Sequence, residues 1–262
     1  MMRKLIHTSL LLIGFGLATA DDDAIRHKEA FHVYLLIGQS NMAGRAAFNE
    51  KEAEPMNGVY LLNGEDDWEP ASNPLNRYST IRKGLGMQKL NPGYSFAMQM
   101  VGPDSGNRIG LVVNAKGGTK IEQWAKGTRF YTEAVRRALE AKQTGTLKGI
   151  LWHQGESNHG KPDGYAEKLA QLVKNLREDL GVDDLPFVAG HIVGPSKIND
   201  EIDRLPALCP NTAVASSEDL ETYDRWHFDA ESVKELGRRY AKAMQALTRP
   251  HPERYARAAS RI

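Results

Sequence analysis

The chain has 262 residues, with 34 Lys and Arg against 33 Asp and Glu, a formal net charge of +1, and a single cysteine, Cys209. A near-neutral chain with no basic block gives no electrostatic case for nucleic acid or an anionic membrane surface. One cysteine excludes an intrachain disulfide, and the length fits one α/β domain with some insertions.

The N terminus reads as a segment that is removed. Arg3 and Lys4 form a basic start, Leu10 to Ala18 is apolar, and Ala18-Thr19-Ala20 has the small-x-small form of a cleavage site. The apolar run is shorter than the roughly 20 residues that span a bilayer. Residues 1–20 are therefore expected to be a signal peptide, with the protein secreted or periplasmic and without a membrane anchor. No Cys follows the cleavage site, which argues against a lipoprotein. Without residues 1–20 the balance becomes 32 cations against 33 acids, a net charge of −1. Export without disulfides suits a domain that stands on its own core. Residues 21–250 are expected to form that single domain, followed by a basic tail over 251–262.

In chain order, Asp21 to Glu29 is a charged leader. Val33 to Ile37 is a continuous apolar run bounded by Gly38, the pattern of a buried parallel strand. Ser40 lies just past its end, where open α/β sheets place their sites. Val59 to Leu62 reads as a strand, Asn63-Gly64 as a turn and Trp68 to Ala71 as the returning strand of a hairpin. Residues 73–91 have no period and read as a long surface loop. Gly93 to Val101 predicts a helix with Phe96, Ala97, Met100 and Val101 on one face, and Arg108 to Asn114 the next buried strand. Tyr131 to Lys142 predicts a helix turning Ala134, Val135, Ala138 and Leu139 inward and stopped by Gly145. Leu147 to His153 is another strand. Tyr165, Leu169, Leu172, Val173, Leu176 and Leu180 recur at helical spacing, with Gly181 at the C′ position. Leu185 to Gly190 and Ala213 to Ser216 read as strands. Asp229 caps a last helix striped by Val233, Leu236, Tyr240 and Met244. Strands alternating with helices predict a parallel sheet covered on both faces.

Four stretches carry possible chemistry. Ser40 is a candidate nucleophile, against the alternative that it only caps a helix. In Asp224-Arg225-Trp226-His227, a carboxylate three residues from an imidazole can fix its tautomer and stabilise the imidazolium, which frees Nε2 to take the Ser40 proton. Gly117-Gly118-Thr119 follows a strand, and glycines there let backbone N–H groups approach an oxyanion. Trp152 to Asn158 brings His153, Gln154 and Glu156 to a strand end, and the Gln154 amide could donate to an oxyanion. His153, Glu156 and His159 could be read as metal ligands, but His-x-x-Glu-x-x-His is neither usual zinc helix motif and Gly155 is poor for a helix.

Taken together, GQSNMAG from residue 38, GGT with Trp124 following, WHQGESN from 152 and DRWHFDAES from 224 resemble the sialate O-acetylesterase and acetylxylan esterase family, carbohydrate esterase family 6 of the SGNH hydrolases. The resemblance implies a flavodoxin-like three-layer α/β/α fold with a parallel sheet and hydrolysis of acetyl esters on sugars. It implies Ser40 as nucleophile, His227 as base and Asp224 as the acid that orients it. It implies an oxyanion hole of Ser40, Gly118 and Gln154, with Gly117 and Glu156 in support. Asn158 departs from the Asp of many relatives, which bears on loop geometry. The expected enzyme is a metal-independent serine esterase without a cofactor, acting on an acetylated carbohydrate of the xylan or sialic acid type. A lipid or aryl esterase on the same fold and a non-catalytic carbohydrate-binding protein are the rival readings.

Overall fold

The computed structural model describes residues 27–82, 84–101 and 107–249. The expected signal peptide over 1–20 and the tail over 251–262 lie outside these residues. Seven strands form one sheet: β1 Phe31–Gly38, β2 Val59–Leu62, β3 Trp68–Pro70, β4 Arg108–Ala115, β5 Thr146–His153, β6 Phe187–Gly190 and β7 Thr212–Ala215. They lie in the order β3-β2-β4-β1-β5-β6-β7. Only β3 runs antiparallel, in a hairpin with β2. The rest are parallel.

Helices cover both faces. They are α1 Ser40–Ala43, α2 Glu50–Ala53, α3 Gly93–Val101, α4 Arg129–Thr144, α5 Tyr165–Leu180, α6 Lys197–Asp203, α7 Leu205–Leu208 and α8 Ala230–Thr248. Strand β1 shows why three layers form. Its side chains alternate across the sheet, so Val33, Leu35 and Ile37 enter one core with α4 and α5. Tyr34 and Leu36 enter the other, with α3 and α8. The chain leaves β1 toward β2 and β4, then crosses back to β5. The end of β1 is thus a topological switch point, where such sheets leave a crevice. The register is level there: Gly38 pairs with Ala115 on one side and His153 on the other. The loops after β4, β1 and β5 therefore start side by side. Gly38 is required at this point, because its φ is 138° and a Cβ would lie 2.1 Å from the His153 carbonyl oxygen.

Two expectations change. Helix α4 turns Tyr131, Ala134, Ala138 and Ala141 inward, while Leu139, one step round the helix, is 40% exposed. Arg137 is buried instead, donating to the carbonyl oxygens of Leu62 at 2.7 Å and Tyr78 at 3.3 Å. Residues 73–91 are not a surface loop. Leu75, Asn76, Leu90 and Asn91 are fully buried, and among the described residues of this stretch the exposed ones are 84–87 and Lys89. Amide side chains replace the missing backbone partners: Asn76 donates to the Ala115 carbonyl oxygen at 3.0 Å and accepts from its N–H at 2.9 Å. A strand-like exchange carried by an asparagine side chain has no hydrophobic period, so the burial was invisible to pattern.

Candidate active site

The three level loops, the segment between β3 and α3 and the segment between β7 and α8 line a cavity of about 590 Å³, with Gln39, Ser40, Arg45, Arg82, Met87, Lys116, Gly117, Gly118, Glu156, Ser157, Trp226 and His227 on its wall. Ser40 opens α1 directly after β1, and Gln39 N–H bonds the His153 carbonyl oxygen at 2.8 Å. Among the described residues, neither the Ser40 nor the Gly118 N–H donates within the protein. Gly118 has φ of 72° with nothing near its Cβ position, so its backbone conformation, not crowding, calls for glycine. A Cβ on Gly117 would lie 2.6 Å from Arg45 Nη2 and 3.4 Å from Ser40 Cβ. The turn is held by Thr119 Oγ1, which donates to the Lys116 carbonyl oxygen at 3.1 Å and accepts from Trp124 Nε1 at 3.1 Å.

Asp224 and His227 form a compact unit. Asp224 Oδ2 lies 2.7 Å from His227 Nδ1, while Oδ1 accepts the N–H groups of Trp226 at 2.7 Å and His227 at 2.8 Å. Burial works against the Asp224 charge. The His227 ring and these backbone donors outweigh it and hold the carboxyl below its ordinary value. Tyr223 stacks on the imidazole, with ring centroids 5.8 Å apart and 19° between planes. A carboxylate on Nδ1 leaves Nε2 as the nitrogen available to a proton donor.

Glu156 Oε1 accepts from Asn41 Nδ2 at 2.7 Å. The same amide donates to the Trp226 carbonyl oxygen at 3.0 Å, and Asn41 Oδ1 accepts the Phe228 N–H at 3.4 Å. Asn41 thus grips the backbone on both sides of His227 and ties it to the residue after Ser40. His153 is fully buried, with Nδ1 3.1 Å from the Tyr240 hydroxyl and Nε2 3.6 Å from Glu156 Oε1. Among the described residues, no three His, Cys, Asp or Glu side chains converge as metal ligands; His153, Glu156 and His159 do not form such a group.

Gln154 is where geometry departs from expectation. It does not line the cavity and is fully buried. Its Nε2 faces three acceptors: the Thr119 carbonyl oxygen at 2.8 Å, Asn158 Oδ1 at 2.9 Å and Gln39 Oε1 at 3.1 Å. Its Oε1 accepts from the Tyr165 hydroxyl at 2.8 Å. An amide has only two N–H groups, and both are committed inside the protein. As an oxyanion donor Gln154 is therefore withdrawn.

The lining also carries charge. Arg45, Arg82 and Lys116 face the cavity. Among the described residues none of them is in an ion pair. Arg45 Nη1 is fixed on the carbonyl oxygens of Gly44 at 2.8 Å and Met87 at 3.0 Å, which leaves Nη2 uncommitted. Burial and the neighbouring Arg82 charge pull its guanidinium below the ordinary value. Burial does the same to Arg82, whose Nη1 is buried without a partner. Among the described residues the only acid on the lining is Glu156, already bound by Asn41. Gln39, Asn41 and the three cations were not singled out from sequence. Gln39 and Asn41 flank Ser40 inside its motif, whereas isolated cations at residues 45, 82 and 116 carry no local signal.

Residues 30–246 match the family model described as carbohydrate esterase, sialic acid-specific acetylesterase. The chain is 30% identical over 236 residues to a probable carbohydrate esterase of Arabidopsis thaliana, across 80% of this chain and 89% of that protein. It resembles a solved Arabidopsis thaliana structure with a TM-score of 0.73 at 29% identity, covering 82% of this chain and 98% of the other. A carbohydrate acetylesterase from Xanthomonas citri shares the fold, with a TM-score of 0.62 at 20% identity, covering 82% of this chain and 56% of the other. No described helix is long and apolar enough to cross a membrane. The chain belongs to the sialic acid-specific acetylesterase family of carbohydrate esterases and is a carboxylic ester hydrolase.

Proposed function

We propose that this enzyme removes O-acetyl groups from a carbohydrate through Ser40, His227 and Asp224. His227 Nε2 takes the Ser40 proton as Oγ bonds to the acetyl carbon and the carbonyl electron pair moves onto oxygen. The Ser40 and Gly118 N–H groups hold that oxyanion. Collapse expels the sugar hydroxyl, protonated by His227, and water hydrolyses the acetyl-enzyme by the same steps. The observation that carries this reading is a single cavity shared by Ser40 and a carboxylate-bound His227. The three unpaired cations support an acetylated sugar that also bears a carboxylate, of the sialic acid type, over neutral xylan or a lipid. The pattern of residues 1–20 supports export of the enzyme.

The test is cleavage of 4-nitrophenyl acetate by wild type and Ser40→Ala, with mass spectrometry of the quenched enzyme. An acetyl adduct on Ser40, and a loss of roughly 10³-fold or more in Ser40→Ala, are expected. Full activity in folded Ser40→Ala overturns the assignment.

A further inference from the structure

We infer that the substrate is an O-acetylated acidic oligosaccharide rather than a single sugar acid: a second cavity beside the first holds the neighbouring sugar residue and takes its carboxylate on Lys120 and Lys161. The inference rests on the carbohydrate acetylesterase reading of the first cavity. The second cavity, of about 570 Å³, lies between the turn that follows β4 and the turn that follows β5. Ser157 lines both cavities, and among the described residues its hydroxyl bonds nothing in the protein. Trp226 on the first cavity meets His159 on the second, with ring centroids 4.9 Å apart. The two cavities therefore share a wall, and a ligand that fills both crosses it at Ser157.

The donors of the second cavity are unspent. Among the described residues neither Lys120 nor Lys161 is in an ion pair. Gln123 Oε1 accepts the Lys120 N–H at 2.9 Å. A backbone N–H cannot accept, so this contact fixes the oxygen end of the amide and leaves Nε2 to a ligand. The acid on this wall, Glu122, is already engaged by Lys168 Nζ at 2.7 Å and Asn158 Nδ2 at 3.1 Å. Burial works against its charge, but these donors and a backbone N–H outweigh it and hold the carboxyl down at about 2. Glu122 thus stays ionised and paired with Lys168, which leaves Lys120 and Lys161 uncompensated. Lone exposed lysines are ordinary. Two of them on one concave wall with an uncommitted amide and hydroxyl form a donor set for a polyhydroxylated anion. The first cavity continues the same sign through Arg45, Arg82 and Lys116. Unpaired cations in both cavities repel one another until an anionic ligand neutralises them, and they draw such a ligand in. A chain with a carboxylate on successive residues meets both sets; a single sugar acid meets one.

The test compares wild type with the double variant Lys120→Ala, Lys161→Ala. The substrates are O-acetylated sialic acid, an O-acetylated oligomer of the same sugar and acetylated xylo-oligosaccharide, with 4-nitrophenyl acetate to normalise active enzyme. Wild type should prefer the acidic oligomer to its monomer about tenfold in kcat/KM, the combined scale of two exposed ion pairs. The double variant should lose that preference through KM, and added salt should erode it in wild type. Equal kcat/KM for oligomer and monomer in wild type overturns the inference, as does an undiminished preference in the double variant. An equal rise in KM for acetylated xylo-oligosaccharide shows a sugar subsite without a carboxylate contact and overturns the acidic assignment. Cleavage of 4-nitrophenyl acetate with no cleavage of any sugar ester overturns instead the carbohydrate reading on which the inference rests.

Discussion

Replacing Gln154 by alanine separates a residue that builds the site from one that performs the reaction. The cost follows from its neighbours. Asn158 Oδ1 would still accept the Ile121 N–H at 3.0 Å. Gln39 Oε1 would still accept from Ser157, and the Tyr165 hydroxyl would still reach the residue 154 carbonyl oxygen at 2.7 Å. Only the Thr119 carbonyl oxygen loses its donor outright. One orphaned buried acceptor costs about 1–3 kcal/mol, and the emptied side-chain volume adds a cavity cost. A total of about 3 kcal/mol lowers Tm by about 6–12 °C for a domain of this size. The kcat on 4-nitrophenyl acetate should fall less than about tenfold, since the amide is spent before substrate binds. Differential scanning calorimetry and steady-state kinetics on one preparation measure both. Unchanged Tm with kcat lowered about 10²–10³-fold would refute the reasoning and return Gln154 to the oxyanion hole.

Asp224 is held below the ordinary aspartate range. A depressed carboxyl keeps its charge down to a pH below its ordinary value, so above about pH 4 the loss of kcat/KM in acid should follow a single protonation elsewhere in the site, with Asp224 staying ionised. A two-proton fall in that range would show Asp224 titrating with it. Asp224→Asn should lower kcat by disfavouring the working tautomer, and a pH–rate profile identical to wild type would exclude that role. Arg82→Ala should raise KM for an O-acetylated sugar acid about tenfold, the scale of one charged hydrogen bond; an equal effect on acetylated xylo-oligosaccharide would refute a carboxylate at that cation. Asn41→Ala should lower kcat about 10–100-fold by loosening the His227 backbone. A double-mutant cycle with Glu156→Gln should show the two effects to be non-additive, and full additivity would break the proposed link.

The centre of the sheet was legible because β1, β4 and β5 are long, largely apolar runs. Gly38, Gly145 and Gly181 mark ends of elements at residue level. Helix faces were legible only in part. Counting apolar residues favoured Leu139, while packing took the long Arg137, whose guanidinium caps the Leu62 carbonyl oxygen at the end of β2. Residues 73–91 escaped because their burial is polar, carried by Asn73, Asn76 and Asn91 on backbone partners. In the site, Asp224 and His227 were legible because their contact spans three residues. The spent state of Gln154 depends on Thr119, Asn158 and Tyr165, which come from three separate segments, and no spacing within the chain encodes it.

That contrast explains how the site is built. The Asp224–His227 half is local: one Asp224 carboxylate bonds the imidazole with one oxygen and the turn's own N–H groups with the other, an Asx turn that orients the ring through contacts within four residues. The Ser40 half is non-local, made where β4, β1 and β5 end level and their loops face one another. The two halves meet through Asn41, whose amide reaches Glu156 on the β5 loop and the backbone on both sides of His227. A polar residue buried in such a junction is costly unless every donor and acceptor is met. Here the carboxamide of Asn41 meets partners at both ends. Glu156 Oε2, buried without a partner among the described residues, is the exception among these side chains.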